Sequence, residues 1–187
     1  TAREGEEYHN RVAGVDGGQA QTCAITPAGL IACWRGDVVP VTGSTDGTSE
    51  QVAVNRFGSL IVGLDEQGVP LSIQAGSLKK IGLAGVIDVD SGLGHVCALL
   101  SDGTVKCWGV NNYGQLGNDS DLNSSSPVLV EGLTGAEDMA VGRNHACVIV
   151  TATATQTLIE CWGLNTDGQL GNGTNENSRV PVEVKTP

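Results

Sequence analysis

The chain has 187 residues, of which 27 are glycine and six aromatic, with 40 % apolar residues and a formal charge of −11. Its ten lysines and arginines are scattered, so no basic cluster exists to hold phosphate, which argues against nucleic acid as a partner, and no apolar run of about 18 residues exists for membrane insertion. Glycine at roughly twice its usual ~7 %, without a collagen period and mixed with Val, Thr, Asn and Asp, marks short strands joined by tight turns and predicts an all-β fold.

Residues 1–11 carry Arg3, Glu4, Glu6 and Glu7 around an isolated Tyr8 and read as an N-terminal arm or an edge strand. A chain beginning at Thr1 rather than Met is expected to be processed or to be part of something longer. Residues 12–43 hold a degenerate copy of a unit that recurs later. Val12, Val15, Asp16, Gly18 and Cys23 match Val86, Val89, Asp90, Gly92 and Cys97 at a constant offset of 74, and Gln21 stands where a histidine comes later. Cys33-Trp34 follows, but the second half of the unit is lost or rebuilt. Residues 44–85 are either a divergent hairpin segment or a further degenerate unit. Strands are expected at 51–54, 59–62, 69–73 and 78–81, and Val52 and Val62 share the spacing of the first two cysteine pairs.

The well-formed copies are 86–135 and 136–187. The first contains His95, Cys97, Asp102-Gly103, Cys107-Trp108-Gly109, Asn111, Gly114-Gln115-Leu116-Gly117-Asn118 and Pro127-Val128; the second contains His145, Cys147, Cys161-Trp162-Gly163, Asn165, Gly168-Gln169-Leu170-Gly171-Asn172 and Pro181-Val182. Trp108 to Pro127 and Trp162 to Pro181 are both 19 residues, so the extra residues of the second copy fall between its cysteines. A repeat of this length points to propeller blades or a solenoid.

The cysteines fall as Cys23/Cys33, Cys97/Cys107 and Cys147/Cys161. A three-residue hairpin loop at Ser101-Asp102-Gly103 pairs Leu100 with Thr104, and counting outward in twos sets Cys97 opposite Cys107. Pro27-Ala28-Gly29 does the same for Cys23 and Cys33, and a loop from Thr151 to Thr157 sets Cys147 opposite Cys161. Directly opposed residues lie about 4.5 Å apart at Cα, within disulfide reach. Zinc binding and free buried thiols are the alternatives, and the spacing lacks a zinc-knuckle pattern. Three disulfides would place the protein in an oxidising setting: extracellular, periplasmic or on a virion surface.

Residues 89 to 118, with 141 to 172 as the second match, resemble the RCC1 (regulator of chromosome condensation) repeat, and the paired cysteines resemble bacterial secreted members. The resemblance implies antiparallel four-stranded blades, seven of which close a ring. Only about three to four can be drawn here, so the expected fold is an incomplete propeller. The nucleotide-exchange activity of the best-known relative is not implied, because the matching positions are those that build blades.

His95 and His145 repeat at one blade position, which predicts an architectural role with a ring nitrogen tied to backbone. Gln115 and Gln169, between Gly114 and Gly117 and between Gly168 and Gly171, are expected to bond the turn backbone. Trp108 and Trp162 are expected in the core between blades. Asp119, Asp121 and Asn123 alternate like the opening of a calcium loop, but position six is Ser124 rather than Gly and position twelve is Val130 rather than Glu, so no metal is expected. Asn118, Asn123 and Asn172 lie in glycosylation sequons. No catalytic set and no cofactor motif stand out. The function expected is a non-enzymatic structural or protein-binding module, with protein partners or copies of itself in a larger assembly. A virion component such as a capsid decoration or tail fibre is the alternative within that class, and a propeller hydrolase or lyase the alternative outside it.

Overall fold

The computed structural model describes residues 81–153 and 156–185, preceded by the strand residues 14–17, 22–25, 31–35, 37–39, 52–54, 61–64, 70–74 and 77–80. The arm 1–11, the Trp34 side chain and the sulfurs of Cys23 and Cys33 lie outside the described residues.

The described strands pair into four antiparallel sheets of four, each in simple chain order. Blade 1 comprises β1 (Gly14–Gly17), β2 (Thr22–Ile25), β3 (Ile31–Arg35) and β4 (Asp37–Val39). Blade 2 comprises β5 (Val52–Val54), β6 (Ile61–Leu64), β7 (Pro70–Gln74) and β8 (Ser77–Lys80). Blade 3 comprises β9 (Val86–Ser91), β10 (His95–Leu100), β11 (Val105–Gly109) and β12 (Ser124–Leu129). Blade 4 comprises β13 (Ala136–Val141), β14 (His145–Thr153), β15 (Gln156–Gly163) and β16 (Ser178–Glu183). First strands touch in succession, β1 to β5 to β9 to β13, and the second strand of each blade reaches the first strand of the next. The result is an open arc of propeller blades, all-β as the composition implies.

The turns explain the hairpins. In β10–β11, Gly103 sits at φ 76°, which a β-carbon disfavours, while its N–H donates to Leu100 O and Leu100 N donates to Thr104 O. The exposed Asp102 carboxylate accepts from Thr104 N and Thr104 Oγ1, and those bonds hold its pKa below the ordinary value. The run Thr151–Thr157 is not the loop that the sequence suggests. Thr151 pairs with Thr157 and Thr153 with Gln156, because β-branched threonines favour extended backbone and lengthen both strands together. The cysteine register is unchanged by this extension.

Val52 and Val62 are not a counterpart of the cysteine pairs. Val62 lies opposite Ala53 in the first hairpin of blade 2 and opposite Ser72 in the second, so Val62 and Ser72 hold the places of Cys97 and Cys107. In blade 1 only Gly36 separates β3 from β4, whereas residues 110–123 connect β11 to β12.

Two apolar cores bracket blade 3. On one face Cys97, Leu99, Val105, Cys107, Leu116 and Val130 meet Met139, Ala146, Val148, Val150 and Trp162 of blade 4. On the other, Trp108 joins Leu83, Val86, Val89, Val96, Ala98 and Leu100. Strand β10 is therefore buried along its whole length, while β12 at the rim is half exposed.

Candidate functional site

Each complete blade carries a lobe between its third and fourth strands, and a buried asparagine organises it. Asn111 is fully buried. Its Oδ1 accepts from Leu116 N at 2.8 Å, and its Nδ2 donates to Asn118 Oδ1, Ser120 O and Leu122 O at 3.2, 2.9 and 3.2 Å. Its backbone N–H donates to Asn123 Oδ1. Asn165 repeats this set with Leu170, Asn172, Thr174, Glu176 and Asn177. The loop that resembled a calcium site thus does wrap a central donor, but the donor is an amide. Asn123 serves Asn111, the Asp121 carboxylate pairs with Arg179 at 2.7 Å, and Asp119 turns the chain at φ 54°. Asn111 and Asn165 appear in the sequence only as repeated letters; the signal that marks them is the shared spacing to Asn118/Asn172 and Asn123/Asn177.

Gln115 Oε1 accepts from Tyr113 N and Gln169 Oε1 from Asp167 N, both at 2.9 Å, closing the turn between the flanking glycines. Gly114 and Gly117 lie against blade 4: a β-carbon on Gly114 would stand 2.7 Å from Arg179 Cα, and one on Gly117 would stand 2.9 Å from Trp162 Nε1. In blade 4 the corresponding neighbour of Gly168 is Asn175 and that of Gly171 is Val184, both in its own blade.

The ring of His95 lacks the expected tie to backbone. His95 is fully buried and neither ring nitrogen has a hydrogen-bond partner, so no backbone tie exists. Its ring packs where a β-carbon on Gly92 would collide with it, and the His145 ring does the same at Gly142. Burial, with the nearby His145 adding to it, lowers the His95 pKa to about 4; burial also lowers that of half-buried His145. Both are neutral at ordinary pH.

Cys97–Cys107 and Cys147–Cys161 are disulfides, each joining directly paired residues with Cα atoms 4.1 Å apart. Cys23 and Cys33 are paired in the same way in the β2–β3 register. The first disulfide is sealed under blade 4, while Cys147 is half-buried on the outward face of blade 4. Beside it Ile149 and Ile159, opposite one another, are 36 % and 46 % exposed. Tyr113 and Leu122, on the blade 3 lobe, are 40 % and 73 % exposed.

The profile described as "Regulator of chromosome condensation (RCC1) repeat" matches residues 102–149 and 161–187, and a second of the same description matches 86–115. The chain belongs to the RCC1 repeat family. Over 169 residues it is 33 % identical to human E3 ubiquitin-protein ligase HERC2, an alignment covering 89 % of this chain and 3 % of that protein. The chain therefore spans a small part of this curated relative. Among solved structures, human WBSCR16 superposes with a TM-score of 0.76 at 20 % identity, covering 99 % of this chain and 56 % of the other. Prp20p from Saccharomyces cerevisiae, whose structure was described with its binding properties to Gsp1p and histones, superposes at 0.63 with 14 % identity, covering 95 % and 64 %. These structural likenesses establish the fold. Gln115 and the lobe asparagines bond the turns of the lobes, and Trp162 bonds blade 4 to blade 3.

Proposed function

We propose that this RCC1-family chain is a non-enzymatic protein-binding module that works in an oxidising compartment. The observation that carries the reading is the blade 3 lobe: a loop fixed by the Asn111 bonds displays Tyr113 and Leu122 to solvent. Large apolar side chains on a rigid loop form a contact surface with little ordering cost, and aromatics are favoured anchors at protein interfaces. The formal charge of −11 favours a partner with a basic rim. Prp20p supports a protein-binding role, since its binding to Gsp1p and histones is named with its structure. The two disulfides, with the matching Cys23/Cys33 register, support the compartment.

The test is a binding titration of each protein recovered by cross-linking the chain within its natural extracellular mixture. Tyr113→Ser with Leu122→Ser is expected to weaken a specific partner at least tenfold while the circular dichroism stays unchanged. Retention of every recovered interaction by that variant overturns the lobe as the binding surface.

A further inference from the structure

Three sequons, Asn118-Asp119-Ser120, Asn123-Ser124-Ser125 and Asn172-Gly173-Thr174, lie on the two lobes. In two of them the lobe itself accounts for the residues. Asn118 and Asn172 are half-buried, and the Oδ1 of each accepts from the central amide of its lobe at 3.2 Å. Their hydroxyl residues are engaged as well. Ser120 Oγ accepts from Leu122 N at 3.1 Å, and Ser120 O accepts from Asn111 Nδ2. Thr174 Oγ1 donates to Asn172 Oδ1 at 2.9 Å and accepts from Asn165 Nδ2 at 3.3 Å.

Asn123-Ser124-Ser125 is different. Asn123 and Ser125 are both exposed. Asn123 Oδ1 accepts from Asn111 N at 2.8 Å, which fixes the amide, while no described residue bonds its Nδ2 or the Ser125 hydroxyl. In blade 4 the equivalent Asn177 keeps the same bond, from Asn165 N at 2.8 Å, but Ser178 and Arg179 follow it. The lobe therefore needs the asparagine and does not need a hydroxyl two residues later. The Ser125 hydroxyl does nothing for the fold, yet it completes an acceptor motif.

We infer that Asn123 is the acceptor of an N-linked oligosaccharide. In the transfer, Asn123 Nδ2 attacks the anomeric carbon of an oligosaccharide carried on a lipid pyrophosphate. The C–N bond forms, the C–O bond to the pyrophosphate breaks, the lipid pyrophosphate leaves, and the amide gives up one proton. Nδ2 keeps its other hydrogen and Oδ1 keeps its lone pairs, so the bond from Asn111 N survives and the lobe folds around the modified residue. A sugar on half-buried Asn118 or Asn172 would instead have to displace the packing around it. The transfer belongs to an oxidising lumen, the setting in which Cys97–Cys107 and Cys147–Cys161 form. The inference goes beyond the protein-binding reading, and its test leaves Tyr113 and Leu122 untouched, so the two fail separately.

The experiment directs the full chain into the secretory lumen of a eukaryotic cell and maps its peptides by mass. Glycans are released enzymatically in heavy-oxygen water, which turns each glycosylated asparagine into labelled aspartate. In the folded, secreted protein Asn123 is expected to be labelled, and Asn118 and Asn172 to be unlabelled. Ser125→Ala is expected to abolish the label at Asn123. It is also expected to leave the circular dichroism and melting temperature of the deglycosylated protein unchanged, since that hydroxyl has no bond to lose. Folded protein with Asn123 unlabelled, labelling of Asn118 or Asn172 to the same extent, or a chain that leaves the cell only as Ser125→Ala overturns the proposal.

Discussion

The indole N–H of Trp162 donates to the main-chain carbonyl of Gln115, 3.0 Å away and 47 residues earlier, and so pins blade 4 to the lobe of blade 3. Both groups are buried, so the bond has no water to replace it. Trp162→Phe keeps most of the apolar contact with Leu116 and Val130 but orphans the carbonyl, at a cost of about 1–3 kcal/mol. Trp162→Ala adds a cavity and costs about 3–5 kcal/mol. Denaturant melts of the two variants are expected to fall in that order. Equal midpoints for Trp162→Phe and wild type would show that the bond contributes nothing.

Asn111 is the better test of what the lobe needs. Alanine there leaves the buried Leu116 N and the part-buried Ser120 O and Leu122 O without the partner that the amide provides, at a cost on the order of 2–5 kcal/mol. Aspartate is nearly the same size, but it replaces the donor Nδ2 with an oxygen facing carbonyls, so Asn111→Asp is expected to be as harmful as Asn111→Ala. The neighbouring Asn112 is exposed, and Asn112→Ala is expected to change stability by less than about 0.5 kcal/mol. Thermal melts at one pH compare all three.

The two described disulfides differ in access. Cys97–Cys107 lies beneath blade 4, while Cys147 is half-buried on the uncovered side. Mild reductant is expected to open Cys147–Cys161 first, since exchange requires a thiolate to reach a sulfur. Peptide mapping after a timed quench reads the order. Each bond closes a short loop and is expected to stabilise by roughly 2–3 kcal/mol, read from the matching double Cys→Ser variants. The same mapping of the untreated protein is expected to recover Cys23 linked to Cys33.

What the sequence discloses and what it hides follow the range of the interactions. Ser101-Asp102-Gly103 discloses its hairpin because one glycine at positive φ fixes the turn, and the turn fixes the register that opposes Cys97 and Cys107. Thr151–Thr157 misleads for a local reason: it has turn-like length but strand-like residues, and the residues decide. At Asp119, Asp121 and Asn123 the alternation of letters says nothing of the partners, because Asn111 arrives from outside the loop: its Nδ2 donates to the main-chain carbonyl of Ser120 while its backbone N–H takes Asn123 Oδ1. The partnerless state of the His95 ring and the openness of Ile149 and Ile159 depend on which blade lies alongside, which no local pattern encodes.

The buried His95 ring makes stability depend on pH in a predictable direction. Burial, helped by the neighbouring His145, lowers its pKa from 6.5 to about 4, so between those values the unfolded chain binds a proton that the folded chain refuses. Stability therefore rises with pH across this window. The contribution is fully present above about pH 6.5, falls as pH drops toward 4, and is gone below the folded value. A shift of this size corresponds to roughly 3 kcal/mol. Half-buried His145, also lowered by burial, acts in the same direction. His95→Gln places at this position the residue that Gln21 supplies in blade 1, and it does not titrate. Denaturant melts from pH 7.5 to 4.5 are expected to show a steep loss of stability in the wild type and a shallower one in the variant, the remainder coming from His145 and the carboxylates. Parallel curves for the two proteins would mean that the His95 proton is not what the fold excludes.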